Sequence, residues 1–193
     1  MHEAMPEGDR VLDSFQPFTV PLKLSIRFCT RSDLAAIEWL GLFRARRDLL
    51  YSTFEKQERN EALMLVATAN NMPCGQVWLD LARRHMDGVG YIWAVRVFSC
   101  LQNLGIGARL MRAAEELLAG HGFEHAELTV ELRNISARRF YERLGYSEAL
   151  TGAPPASVRL RIPPGQFLMR KTWLAGVPAG AMAESSESAE GRA

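Results

Sequence analysis

A run of strand-forming residues at 91–98 leads through Gln102-Asn103-Leu104-Gly105-Ile106-Gly107 into a helical segment that reaches about residue 119. No other stretch constrains the chain as tightly, because it dictates both a change of secondary structure and an unusual backbone at the change. Gly105 and Gly107 lack a Cβ, so the chain can turn sharply there and a ligand can approach it closely. The first turn of the helix leaves amide N–H groups without intrahelical partners. With the helix dipole they form an anion site suited to phosphate. No P-loop lysine follows the glycines, which matches a diphosphate held by amides better than a triphosphate with magnesium. Arg109 and Arg112 lie early in the helix and Glu115 and Glu116 late. That order opposes the macrodipole, and a polyanion bound at the start would offset its cost; a solvated charged face is the plainer alternative.

The flanking segments read as a mixture of strands and helices. Leu22, Leu24, Ile26 and Phe28 alternate with Lys23, Ser25 and Arg27, as in a half-buried strand. Thr30 or Ser32 can cap a helix carrying Leu34, Ile37 and Leu40, which Gly41 breaks. A second helix is expected over residues 42–58, with Leu42, Ala45, Leu49, Leu50 and Phe54 toward the core. The apolar run 63–69 reads as an interior strand, Asn70 to Pro73 as a turn, and 76–81 as the returning strand of a hairpin. Ala126, Leu128 and Val130 alternate with Glu127, Thr129 and Glu131 in a later strand. A short helix over about 136–144 and a last strand over 167–173 complete the pattern. Val158, Leu160 and Ile162 alternate with Arg159 and Arg161 inside a Pro- and Gly-rich stretch. The expected organisation is a loose arm at 1–20, one domain at 21–175, and a disordered tail at 176–193 built of Ala, Gly, Ser and Glu.

A net charge of +1 recruits neither nucleic acid nor an anionic membrane through a global field, and neither partner is expected. No apolar stretch approaches the roughly 18 residues that span a bilayer. Cys29, Cys74 and Cys100 form no C-x-x-C pair and read as reduced thiols of a cytoplasmic protein. His2, His85, His121 and His125 show no metal spacing, since His121 and His125 straddle Gly122; no metal is expected. A dinucleotide-binding unit would need a third small residue where Leu110 stands.

The segment Val97-Phe98-Ser99-Cys100-Leu101-Gln102-Asn103-Leu104-Gly105-Ile106-Gly107 resembles the coenzyme A loop of the GNAT superfamily of N-acetyltransferases, Q/R-x-x-G-x-G or A after a valine. Ser99 stands where that family often has proline. A second block, Asn134-Ile135-Ser136-Ala137-Arg138-Arg139-Phe140-Tyr141-Glu142-Arg143-Leu144-Gly145-Tyr146, resembles the family pattern N-x-x-A-x-x-F-Y-x-x-x-G-F/Y. The resemblance implies an α/β (α+β) fold: a mixed, mostly antiparallel sheet of six or seven strands, flanked by helices. A central parallel pair, here 91–98 and 126–130, splays to admit acetyl-CoA, with the intervening helix as crossover.

The resemblance also implies roles. The amides of Gln102, Asn103, Leu104, Gly105, Ile106, Gly107 and Ala108 hold the pyrophosphate, with Arg109 beside them. The strand end near Val97 and Ser99 pairs with the pantetheine arm, and Asn134 hydrogen-bonds that arm; a helix N-cap is its alternative role. Tyr141 is the acid that protonates the leaving thiolate, or alternatively a packing residue of the Ala137, Phe140, Tyr141, Leu144 stripe. No glutamate stands in 91–98, so Glu127, Glu131, Asp87 and His85 are the remaining base candidates, and positioning alone can supply much of the rate. The implied partner is a small-molecule or peptide amine, and a homodimer is left open. A non-catalytic acyl-CoA sensor of the same fold is the competing reading. Truncation after Ala175 is expected to leave the melting temperature and acetyl-CoA binding unchanged, whereas truncation before Gln166 removes a strand and exposes a new sheet edge. Melting curves of both beside the full chain check the boundary; a large loss from removing the tail alone would move it.

Overall fold

The computed structural model describes residues 19, 21–39, 41, 44–82, 85–149 and 162–173. Residues 1–18, the alternation at 158–161 and the tail from 174 lie outside the described residues. The sheet has seven strands: β1 (Leu24–Phe28), β2 (Ala62–Ala69), β3 (Met72–Asp80), β4 (Val89–Val97), β5 (His125–Glu131), β6 (Ser147–Glu148) and β7 (Gln166–Thr172). Their spatial order is β1-β2-β3-β4-β5-β7-β6. Only β4 and β5 pair in parallel; the other neighbours are antiparallel. The α-helices are α1 (Arg47–Glu58), α2 (Ile106–Gly120) and α3 (Ile135–Arg143). This is the expected mixed, mostly antiparallel sheet with one central parallel pair.

Local chemistry explains the elements. Every residue of β2 is buried, as an apolar run without a polar face requires. Asn70 and Asn71 both have positive φ, 48° and 69°, which suits the tight turn of the β2–β3 hairpin. The helix α2 crosses from β4 to β5 and buries Ile106, Leu110, Met111, Ala114 and Leu118 against the sheet. On the opposite face α1 buries Leu50, Thr53 and Phe54 with Cys29, Leu34, Ile37, Met64, Val66 and Trp78. Two ion pairs lock β7 into place. Glu127 on β5, fully buried, accepts from Arg170 Nε at 2.8 Å, and Lys171 donates to the buried Glu115 of α2 at 2.7 Å.

Two expectations need correction. The helix after Thr30 is instead two 3-10 turns, Arg31–Asp33 and Ala36–Glu38. Asp33 is committed to Arg27 through bonds of 2.6 and 2.8 Å and to the Thr30 amide at 2.7 Å. Trp39 then enters left-handed space at φ 44°. Too few residues remain before Gly41 for a stable α-helix, whose nucleation is costly. The second helix also starts later than expected, at Arg47, and within it Leu49 is 40% exposed while Thr53 is buried.

Gly90 of β4 faces α2 closely: a Cβ there would lie 2.3 Å from Leu118 Cδ2 and 3.0 Å from Leu118 Cγ. Leu118 is fully buried and has no room to withdraw. Gly90→Ala is expected to cost about 1–3 kcal/mol by overpacking. In thermal unfolding this appears as a fall of roughly 2–4 °C per kcal/mol for a chain of this size; an unchanged midpoint would mean that α2 rides farther from the sheet.

Candidate functional site

The parallel ladder is short. Val89 pairs with His125, Gly90 with Ala126 and Tyr91 with Glu127, and no further pairs form. β4 runs on to Val97 and β5 to Glu131 without pairing, so a wedge opens between them. At its closed end the Tyr91 hydroxyl meets Thr129 Oγ1 at 2.8 Å. The open end is a groove of about 530 Å³ bounded by Val95 and Val97, by the glycine loop, and by α3.

The loop is built to present its backbone. Gln102 Nε2 donates to the Val97 carbonyl at 3.1 Å and ties the loop to the end of β4. Asn103 at φ 63° and Gly105 at φ 75° turn the chain in left-handed space, and Gly105 is the N-cap of α2. Among the described residues no backbone acceptor takes the amides of Asn103 to Ala108. Such a row of donors at a helix start suits an anion such as phosphate. Gly107 lies under α3: a Cβ there would sit 3.4 Å from Phe140 Cζ and 3.7 Å from Val97 Cγ2.

Of the residues expected at the site, Val97, Gln102, Asn103, Gly105, Gly107, Ala108, Asn134 and Tyr141 line the groove. Ser99, Leu104, Ile106 and Arg109 do not. Ser99 opens a 3-10 turn, Leu104 is exposed, Ile106 is buried, and Arg109 borders a separate depression beside Leu24 and Ile26. The groove also takes in Val95, Arg96, Ser136, Phe140, Arg143 and Leu144. Phe140 and Leu144 were visible as the apolar stripe of α3; Arg96 and Arg143 carried no sequence signal.

Asn134 takes the alternative role expected of it, the N-cap of α3. Its Oδ1 accepts from the Ala137 amide at 3.0 Å and caps α3. Asn134 also lines the groove. Tyr141 packs its ring 5.1 Å from Phe140 and 5.9 Å from Tyr146, and burial pushes its hydroxyl up to about 12. It is therefore a phenol, not a phenolate, across the physiological range.

The base candidates fare poorly. Glu127 is buried in its pair with Arg170. His85 and Asp87 lie in the turn before β4, at the closed end of the wedge, where His85 stacks edge-on against Phe123. Neither carboxylate nor histidine lines the groove among the described residues. No group of His, Cys, Asp and Glu there can hold a metal, and no described helix is long and apolar enough to cross a membrane.

Residues 31–146 match the model of the Acetyltransferase (GNAT) family. The chain belongs to that family. A mycothiol acetyltransferase of Mycobacteroides abscessus is 42% identical over 73 residues, which is 37% of this chain but only 25% of that protein's length. PaiA N-acetyltransferase from Thermoplasma acidophilum, solved in complex with coenzyme A, shares the fold with a TM-score of 0.62. The two are 17% identical, over 78% of this chain and 99% of that one. The ribosomal-protein-S18-alanine N-acetyltransferase of Escherichia coli gives 0.57 at 19% identity, over 78% of this chain and 94% of its own. At such identities the solved structures establish the common fold.

The loop geometry yields a direct test. Acetyl-CoA is expected to raise the melting temperature, as a native-state ligand does. Gly107→Glu, which puts bulk and negative charge among the free amides, should abolish the rise, while Gly107→Ala, whose Cβ makes ordinary contact with Phe140, should keep it. A shift retained by Gly107→Glu would place the phosphates elsewhere.

Proposed function

We propose that this protein transfers an acetyl group from acetyl-CoA to the nitrogen of an amine by direct attack on the thioester. The observation that carries the reading is the wedge between β4 and β5, entered past a row of unclaimed loop amides. Gln102, Asn103, Gly105, Gly107 and Ala108 would take the pyrophosphate, and Val95, Val97 and Asn134 the pantetheine arm. The donor supplies an activated carbonyl and a thiol leaving group.

The chain's own residues do the rest. Backbone N–H groups on the unpaired stretch of β4 polarise the carbonyl, which is the usual electrostatic contribution to acyl transfer. The amine nitrogen forms the new C–N bond as the C–S bond breaks. Tyr141 gives its proton to the departing sulfur, the amine's proton leaves to solvent, since no described carboxylate or imidazole lines the groove, and solvent returns a proton to Tyr141. Two consequences follow for pH. The rate should rise with pH as the acceptor loses its proton. It should not fall again below about pH 10, because Tyr141 stays protonated up to about 12.

The named relatives differ in acceptor, so family membership leaves the amine open. Thiol release from acetyl-CoA against polyamines, aminoglycosides, amino acids and peptide N-termini tests the activity. Tyr141→Phe removes only the hydroxyl and is expected to lower kcat by about 10²-fold with acetyl-CoA affinity within a few-fold of the parent. Equal kcat values would make Tyr141 a packing residue. Acetyl-CoA binding without turnover of any amine would favour the sensor reading.

A further inference from the structure

The chemistry of the donor fixes the order of groups along the wedge. In acetyl-CoA the acyl group and the phosphates stand at opposite ends of the pantetheine arm. With the phosphates at the loop amides beyond Val97, the acyl group lies toward the closed end, where the ladder stops at Tyr91 and Glu127. Alternation gives the two strands distinct faces there. Gly90 faces Leu118 of α2 and Ile92 is buried on the same side, so Tyr91 and Trp93 turn to the α1 side. On β5, Leu128 and Val130 are buried on the α2 side, which turns Thr129 to the other. The phase of β4 changes farther along. Trp93 lies opposite Trp78 and Arg96 opposite Gln76, so β4 spends one residue more than β3, and Ala94 adopts φ 52° in the resulting bulge. Val95 and Val97 thereby turn to the α2 side and line the groove.

The apex of the wedge is therefore a narrow slot. Its end is the backbone ladder itself. On the α2 side Ile92 is 0% and Leu128 2% exposed, and close-packed side chains of that kind leave an acyl chain no room. On the α1 side the Tyr91 hydroxyl and Thr129 Oγ1, 2.8 Å apart, join β4 to β5 one step beyond the last backbone pair. That bond carries the ring of Tyr91 across the gap between the strands. Burial first, and the nearby Tyr91 hydroxyl second, hold the Tyr141 hydroxyl above its ordinary range. Tyr141 packs with the α2-side core, so the two tyrosines approach the slot from opposite faces. Tyr91 is half-buried, and a smaller residue there would open the slot toward the surface instead of leaving a sealed cavity.

We propose that Tyr91, anchored by Thr129, sets the length of the acyl group that this chain transfers and confines it to acetyl or propionyl size. The inference rests on the acetyl-transfer reading above. The thioester carbonyl reaches the slot beside Tyr141, and a longer chain must then push the Tyr91 ring off its bond to Thr129. Forcing methylenes into a filled site is unfavourable, and one methylene too many is worth about 10-fold or more in kcat/KM.

The test compares kcat/KM for acetyl-, propionyl-, butyryl- and hexanoyl-CoA with the best amine of the panel above, by thiol release with the product confirmed by mass. In the parent, butyryl-CoA is expected to fall about 10-fold or more below acetyl-CoA. Tyr91→Val should raise the butyryl-to-acetyl ratio about 10-fold or more, whereas Tyr91→Phe, which keeps the ring, should leave it within a few-fold of the parent. Thr129→Ala opens the slot from β5 and should move the ratio in the same direction as Tyr91→Val, which keeps the inference testable if that variant does not fold. Free CoA should raise the melting temperature of each variant, showing an intact groove. Parent rates that do not fall from acetyl to hexanoyl, or a ratio unmoved by Tyr91→Val and Thr129→Ala, overturn the inference and leave acyl transfer standing. If no amine is acylated, melting decides. A rise that shrinks from acetyl- to hexanoyl-CoA in the parent but not in the enlarged variants supports the gauge, and equal rises throughout overturn it. Absence of any shift with acetyl-CoA in the parent would instead remove the acetyl-transfer reading.

Discussion

The parallel ladder between β4 and β5 ends at Tyr91 and Glu127, and the rest of the site depends on that ending. Backbone N–H and C=O groups inside a protein demand partners. Two central strands that stop pairing leave such groups facing a gap, open to water or to a ligand that carries donors and acceptors of its own. The gap stays open because each strand is held from its other side. β4 is bound to β3 along its length, and β5 to β7 from His125 to Glu131. The pair between the fully buried Glu127 and the partly exposed Arg170 and the Glu115–Lys171 pair add charge-assisted bonds on the β7 side. Gly90 lets α2 lie close at the paired end, and the first turn of the same helix delivers the loop amides at the open end.

The bulge at Ala94 is the second device, and it acts on the same strand. It divides β4 into two phases, so one strand serves two cavities. Its far half contributes Val95 and Val97 to the groove of the wedge, while Trp93 and Arg96 line a pocket under α1. A positive φ at alanine costs energy, and such strain persists where surrounding structure over-determines it. Here the Trp78–Trp93 contact on one side and the Gln76–Arg96 pairing on the other hold the bulge in place.

Local signals carried most of the architecture. The all-apolar run of β2, the paired asparagines of its turn and the period of α2 are each set by neighbours in sequence, and all appear in the structure where their chemistry places them. The two-residue strand β6 gave no signal, because so short an edge depends on its pairing with Arg170 and Met169. The stretch after Thr30 misled for the converse reason. Its apolar spacing is helical, but Asp33 forms tertiary bonds to Arg27 that hold the chain in tight turns.

By itself the sequence determined the loop and the α3 wall of the groove, because a glycine loop, a capping asparagine and the stripe of α3 act through residues close together in the chain. Gly105, Gly107, Asn134 and Tyr141 were legible for that reason, and all four line the groove. Only the tertiary structure decided which side chains meet under α1. Gln76, Trp78, Trp93, Arg96 and Arg46 come from two strands and a distant turn, and no local period links them. Strand alternation would even have sent Arg96 to the wrong face. The side chain reaches the pocket because one extra residue in β4 shifts the pleat, and a register shift is a property of two paired strands, not of either strand alone.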